Sequence, residues 1–539
     1  MNPLLTAALI LFASALPSAN AALDLSSLET IPVQESGRKK PYLVFAQESL
    51  LGTAGRRTLE VDDKRQPALR VITDLWFQPE KWSSVPLILV DSVEVKEAAG
   101  LELTETRFAY DTLAANSAFV DLLQKAEMAT RASEGAKLTG IDKKMETIGL
   151  RLAEFENLRN GNLFRIVANP AGDTTAWRTL DPADPLFANL RDAYLAEDQA
   201  AFDTAADALR SSLAEQAPQF QPPTWKIDLE TTIQKLHPFR WAWILYLLAG
   251  IALAVTSLRA RRTGYAIGWA LAAIGFLFQL AGFISRILIA GRPPVTNMYE
   301  SIIWVAFGTV LFALIFEAIF RSRYFLLGAI PVAVLSLLLA DSQPLALDPG
   351  IHPLTAVLQS NFWLATHVLI ITLSYAAFAL ALGVSHIALG KVIIGTKPTP
   401  AIYNYIYRTL QVGVLLLAVG TILGGVWANY SWGRFWDWDP KETWALVALL
   451  AYLFILHGRI AGRWGGFGLA VGSILAFQTI IMAWYGVNFV LGVGLHSYGF
   501  GSGGFEYAVT YVVVECVFVA IAVVRARKPS RKQPALATG

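Results

Sequence analysis

The sequence predicts a mainly α-helical protein: a polytopic bundle of about nine transmembrane helices, preceded by a soluble extracytoplasmic domain that is α+β or mostly helical. Three observations predict it. Apolar residues make up 54% of the 539-residue chain, charged residues 16%, and the mean hydropathy is +0.45. These are values of a membrane protein with a soluble part attached. Most of the charge lies before residue 237, and from Trp241 onward apolar runs follow one another, most near the ~20 residues that a bilayer-spanning helix needs. Between two of those runs, Trp427–Trp444 reads WANYSWGRFWDWDPKETW and holds five of the chain's 16 tryptophans among Asp437, Asp439, Lys441 and Glu442.

Residues 1–21 have a short apolar core followed by Ala19-Asn20-Ala21, a signal-peptide cleavage pattern. The absence of Lys and Arg ahead of that core leaves an uncleaved anchor as the other reading. Either way the next segment is exported. Residues 22–236 form the extracytoplasmic domain. Thr112–Thr130 (Phe119, Leu122, Leu123) and Ile141–Leu158 (Met145, Ile148, Leu152, Phe155) have helical periodicity, whereas Pro86–Val95 reads as strand.

The transmembrane part, 237–524, carries its runs at 241–258, 264–290, 301–320, 324–340, 363–390, 409–426, 443–460, 466–490 and 506–524. Alternate connections are basic: Arg259, Arg261 and Arg262; Arg321 and Arg323; Lys391, Lys397 and Arg408; Arg459 and Arg463; then the tail 525–539. The positive-inside rule makes these cytoplasmic. An odd number of spans then places 22–236 on the opposite side, in agreement with the signal peptide. The Trp-rich segment falls on that same extracytoplasmic side, with Asn297–Glu300, Asp341–Phe362 and Leu491–Phe505.

A net charge of +2 gives no reason to expect nucleic acid. The single cysteine, Cys516, sits in an apolar stretch and reads as a buried small hydrophobe. Without CxxC or CxxCH the chain has neither a thiol redox pair nor covalently attached haem of its own.

Tryptophan gathers at membrane interfaces, but that tendency explains one or two per span end, not five mixed with acidic residues. The segment reads instead as a platform for a flat amphipathic ligand, and haem is the candidate. His367, at the start of the fifth span, and His496, after the eighth, flank the platform on its own side of the membrane. Both suit the axial positions of haem iron. His457 lies 13 residues beyond Trp444, about 20 Å along a helix, and so belongs to a second, inner site. His386 lies at similar depth and is a further inner candidate; His237 and His352 read as interfacial residues. Arg434 is the first choice for the haem propionates, then Arg292 and Arg286, with pairing to Asp437, Asp439 or Glu442 as the competing role for Arg434. Asp439-Pro440 has the form of a helix start.

WDWDPKETWALV, the THV around His367, GVNFVLGVGLHSYGF and PPVTNMYESIIW together resemble the CcsA/ResC family, the haem-handling WWD proteins of cytochrome c biogenesis. The resemblance covers 241–524 and fits this family better than its CcmF sister. It implies haem b as substrate and bound ligand, held over Trp427, Trp432, Arg434, Trp436, Trp438, Pro440, Glu442 and Trp444. It implies His367 and His496 as axial ligands, forming the catalytic centre with Trp436, Asp437, Trp438 and Asp439, and His457 as ligand of the inner haem. It further implies holocytochrome c synthase activity at a bacterial cytoplasmic membrane. The expected partners are a CcsB/ResB-like subunit acting in trans, apocytochrome c with CxxCH, and thiol-reducing proteins. The alternatives are a haem exporter serving a separate ligase, a transporter of another amphipathic ligand, and a scaffold without cofactor.

Overall fold

The computed structural model describes residues 23–61, 63–132, 138, 140–172, 175–259, 262–353, 362–491, 496 and 505–527. The signal peptide, Arg261, the side chain of Arg259 and the tail from 528 lie outside the described residues, as does most of Leu491–Phe505. The chain divides into two compact units at Lys235/Leu236.

Among its described residues the first unit is built mostly of helices, with three two-stranded antiparallel ribbons: Pro32–Glu35 with Arg38–Pro41, Thr58–Val61 with Lys64–Pro67, and Ile88–Leu89 with Arg107–Phe108. Helix Tyr42–Ala54 is apolar nearly all round and correspondingly buried. The periodic segments form helices Ser117–Ala132 and Gly140–Arg159. Pro86–Val95 is strand only at Ile88–Leu89. The Ser92 hydroxyl accepts the N–H of Val95 and starts a helix at Val93 instead, a local cap that the apolar run masked.

Gly52 leaves room for the Glu154 carboxyl beside Lys40, which is ion-paired to Glu35 and Glu48. Burial, then the like charge of Glu35, push Glu154 up to about 8; Lys40 opposes this, and Glu48 adds to it. The folded unit thus retains a proton that the unfolded chain releases near 4.5. That stability is complete below the unfolded value and is lost as pH rises through about 8. Glu154→Gln should flatten the fall in unfolding temperature across this window, read by thermal melts of the full chain in detergent. An unchanged slope would refute the assignment.

Among its described residues the second unit holds nine long α-helices, α1 Pro238–Arg259, α2 Arg262–Ala290, α3 Met298–Phe320, α4 Tyr324–Ser342, α5 Phe362–Ile393, α6 Pro400–Trp432, α7 Pro440–Ile460, α8 Gly466–Ile481 and α9 Phe505–Arg527. Each falls in or overlaps one of the nine stretches among the described residues that are long and apolar enough to cross a membrane. α8 continues as a π-helix, Met482–Leu491. Small residues set the packing, as expected where lipid offers no hydrophobic drive between helices. Gly268, Gly275 and Gly282 of α2, seven apart, receive Leu253, Tyr246 and Phe239 of α1. Gly328 of α4 and Gly383 of α5 bring two backbones together with no space for a Cβ. α5 is the central helix, with 72% of its apolar window buried, against 17% for α9.

That difference corrects the reading of Cys516, which is exposed. α9 turns only the stripe Glu515, Val519 and Ala522 inward, and Cys516 stands one residue off it. A second correction concerns α6. It runs well past 426, so Trp427 and Trp432 belong to its final turns rather than to a loop. Gly433 ends it in the left-handed region (φ +70°).

Candidate functional site

At the Trp-rich end of the bundle a cavity of about 510 Å³ opens among α3, α5, α6, α7 and the π-helix, lined by His367, His496, Trp427, Trp436, Lys441 and Glu442 among others. Its size is that of a small-molecule or cofactor site. The site is assembled from the connection between α6 and α7. The Asp439 side chain accepts the N–H of Lys441 (2.9 Å) while Glu442 reaches back to the N–H of Asp439 (3.3 Å), a capping box with Pro440 at the first helical position. Glu442 also accepts the N–H of Asp437 (2.8 Å) and Nη1 of Arg434 (2.9 Å). Between the two captured amides Trp438 is held at φ +56°, a strained conformation for a bulky residue. The chain reverses there, leaving Trp438 exposed and Trp436 on the cavity wall, their rings edge-to-face at 5.8 Å.

The two histidines enter from opposite ends of the sequence motif and are oriented alike. Nδ1 of His367 bonds the carbonyl of Gly420 at 3.1 Å, and Nδ1 of His496 bonds Oδ1 of Asp439 at 2.8 Å. A carbonyl or a carboxylate can only accept, so in each neutral ring Nδ1 carries the proton and Nε2 the lone pair. Metal-ligating histidines are typically oriented by such a bond. Trp427, fully buried, is near both rings: it stacks on His367 at 6.2 Å (13° between planes) and sits 6.1 Å from His496. Trp432 meets His496 edge-on at 5.1 Å from behind the cavity wall.

Gly424 clears the space for His367, since a Cβ there would come within 2.9 Å of Cε1 and Nδ1. Gly424→Ala should therefore displace the imidazole while leaving α5 and α6 packed. With His367 as the axial ligand that the sequence leads one to expect, the signature would be loss of one ligand on haem titration with little change in thermal stability; an unchanged spectrum would count against the slot.

Other expected residues are placed differently. Trp438, Asp437 and Trp444 do not line the cavity, and Trp438 and Asp437 are exposed. Arg434 is paired to Glu442 and to Asp437 (3.4 Å) and lies over Trp432. Arg286 and Arg292 share Glu300, at 2.9 and 3.2 Å. Glu300 is nearly inaccessible and also accepts the N–H and hydroxyl of Thr296. Arg292 still reaches the cavity wall, whereas Arg286 does not.

His457 is exposed on α7, Nδ1 bonded to Leu453 O of its own helix. His386, the further inner candidate, has both nitrogens engaged, by Leu382 O (2.9 Å) and Glu515 Oε2 (2.9 Å). Glu515 is buried on α9 and claims that imidazole. Lys441 bonded to Asn488 (2.9 Å) and Trp484 bonded to Ser301 (2.9 Å) also line the cavity and were not singled out as ligand-binding residues from sequence. The glycines of GTILGG (420–425), spaced for close helix contact, were the available signal for the Gly424 slot.

Residues 295–496 match the family model described as Cytochrome C assembly protein. The match thus starts on one cavity wall, at Val295, and ends at His496. The chain is 35% identical over 268 residues to the cytochrome c biogenesis protein CcsA of Prochlorococcus marinus (strain NATL2A), covering 42% of this chain and 84% of that one. The chain belongs to the CcsA family of cytochrome c biogenesis proteins. The CcsA of Pyropia yezoensis is 37% identical over 262 residues, covering 40% of this chain and 81% of its own. Protein NrfI of Wolinella succinogenes matches more broadly, 28% identical over 510 residues and 88% of this chain. The chain spans 54% of NrfI's length. As a CcsA-family, multi-pass membrane protein the chain has a role in cytochrome c maturation.

Proposed function

We propose that this CcsA-family chain binds haem b between His367 and His496 and presents it for covalent attachment to the CxxCH motif of an apocytochrome c. The single observation that carries the reading is the pair of imidazoles on one cavity, each with Nδ1 committed to a fixed acceptor and Nε2 as the ligand atom. The site operates on the extracytoplasmic face of a bacterial cytoplasmic membrane, by the charge bias of the connections. His457 serves an inner haem site, completed by a CcsB/ResB-like subunit in trans.

The chemistry asks little acid–base work of the protein. Each thiol of CxxCH adds across a haem vinyl, the sulfur–carbon bond forming as the thiol hydrogen passes to the other vinyl carbon. Nothing leaves, and thiol-reducing proteins keep the cysteines ready. The chain contributes position and orientation. His367 and His496 hold the iron, Trp427 and Trp436 wall the macrocycle, and Trp438 and Asp437 face the arriving acceptor. The acceptor's own histidine displaces one of the two imidazoles and brings its cysteines to the vinyl edge.

The test is co-expression with a CcsB-like subunit and a CxxCH acceptor, scored by haem staining of the acceptor in denaturing gels. Stained acceptor supports the reading. Haem-loaded chain with unstained acceptor would replace it with export to a separate ligase, and a colourless chain would end it.

A further inference from the structure

We infer that the acceptor's histidine displaces His367 and leaves His496 on the iron, with Asp439 as the positioning residue that decides between them. The inference rests on the haem reading of the cavity and adds which axial ligand is exchanged. Both imidazoles donate through Nδ1, but to acceptors of different kinds. His496 donates to the carboxylate of Asp439 at 2.8 Å, whereas His367 donates to the main-chain carbonyl of Gly420 at 3.1 Å. A hydrogen bond to a charged acceptor is roughly twice as strong as one between neutral groups. Gly420 lies inside α6, where a helix carbonyl also takes the ladder N–H four residues on, so His367 has only a share of it.

A carboxylate on Nδ1 raises the basicity of the other ring nitrogen, the atom that binds iron. Asp439 serves other groups as well: Oδ1 also accepts the main-chain N–H of Lys441, and the carboxylate acts on the Lys441 ammonium. These contacts temper its charge and fix its place, but they do not turn it into a neutral acceptor. The surroundings agree with this difference. His496 is backed by Trp432 at 5.1 Å, and its partner Asp439 is 6% exposed. Beside His367, by contrast, Phe435 fills the notch at Gly425, next to the Gly424 slot, and both Phe435 and Phe362 are exposed members of the cavity lining. The bond from iron to His367 is therefore the weaker one and lies on the more open flank. In the exchange that bond breaks and one to the acceptor's imidazole forms, with no net transfer of electrons or protons.

Carbon monoxide is the probe, because on ferrous haem it takes the place of the weaker axial ligand. Photolysis of the adduct leaves the retained histidine alone on the iron, and the iron–histidine stretching band in resonance Raman then identifies it. A carboxylate-bonded imidazole makes the stiffer bond and hence the higher frequency. The purified full chain loaded with haem b should give the same band as His367→Ala and a higher one than His496→Ala. Asp439→Asn, which keeps both ligands, should move the band to lower frequency. A wild-type band equal to that of His496→Ala would overturn the inference, as would a band that Asp439→Asn leaves unmoved. A wild type without a bis-histidine spectrum before carbon monoxide is added would instead overturn the haem reading beneath it.

Discussion

Replacing His367 or His496 with alanine is expected to abolish the bis-histidine haem spectrum, each change alone being sufficient. The loss should appear as a high-spin, five-coordinate spectrum or as purification without haem. Added imidazole should restore the low-spin form, because Trp427 and the helix ends that shape the slot remain. Asp439→Asn separates orientation from ligation. An amide can still accept from Nδ1 of His496 and from Lys441 N, but without the charge that raises the basicity of the ligand nitrogen. This variant should keep both ligands while weakening haem binding on the order of tenfold, within the range known for partners of metal ligands. If both alanine variants retained the wild-type spectrum, the assignment of the iron site would fail.

The second large effect is expected at Glu442. Its carboxylate receives Arg434, Asp437 N and Asp439 N, the last two on either side of the strained Trp438. Arg434 and Glu442 are mostly shielded, at 19% and 10% side-chain exposure. Glu442→Ala removes all three acceptor contacts and leaves a shielded guanidinium with only the exposed Asp437. Breaking such a pair costs on the order of 3 kcal/mol. The connection 433–439 should then become sensitive to protease, and haem retention should fall even though both histidines are intact. Glu442→Gln should be milder, since the amide oxygen still accepts the main-chain donors. If cleavage and haem content stayed at wild-type levels in Glu442→Ala, Glu442 would not organise the platform.

The membrane helices were legible because apolar run length is a one-dimensional property. Once water is excluded, a stretch such as 363–390 must satisfy its own backbone, and only a helix does so. The capping pattern at Asp439-Pro440 was legible for a related reason, since its partners lie within four residues. Pro86–Val95 was misread because the Ser92 cap competes locally with an apolar run that suits strand or helix equally well.

What the sequence determined by itself is the number of spans, the bias of basic connections, and the presence of indoles and imidazoles around one short segment. Tertiary structure decided how those groups are used. Gly420 and Asp439 orient the two histidines, Glu300 takes Arg286 and Arg292, Glu442 takes Arg434, and Glu515 takes His386. The partners of His367, His496 and His386 lie more than fifty residues away in sequence, and hydrogen bonds and charge pairs act over a few ångströms. Composition and spacing therefore show which groups a chain carries, whereas only helix packing decides which of them meet.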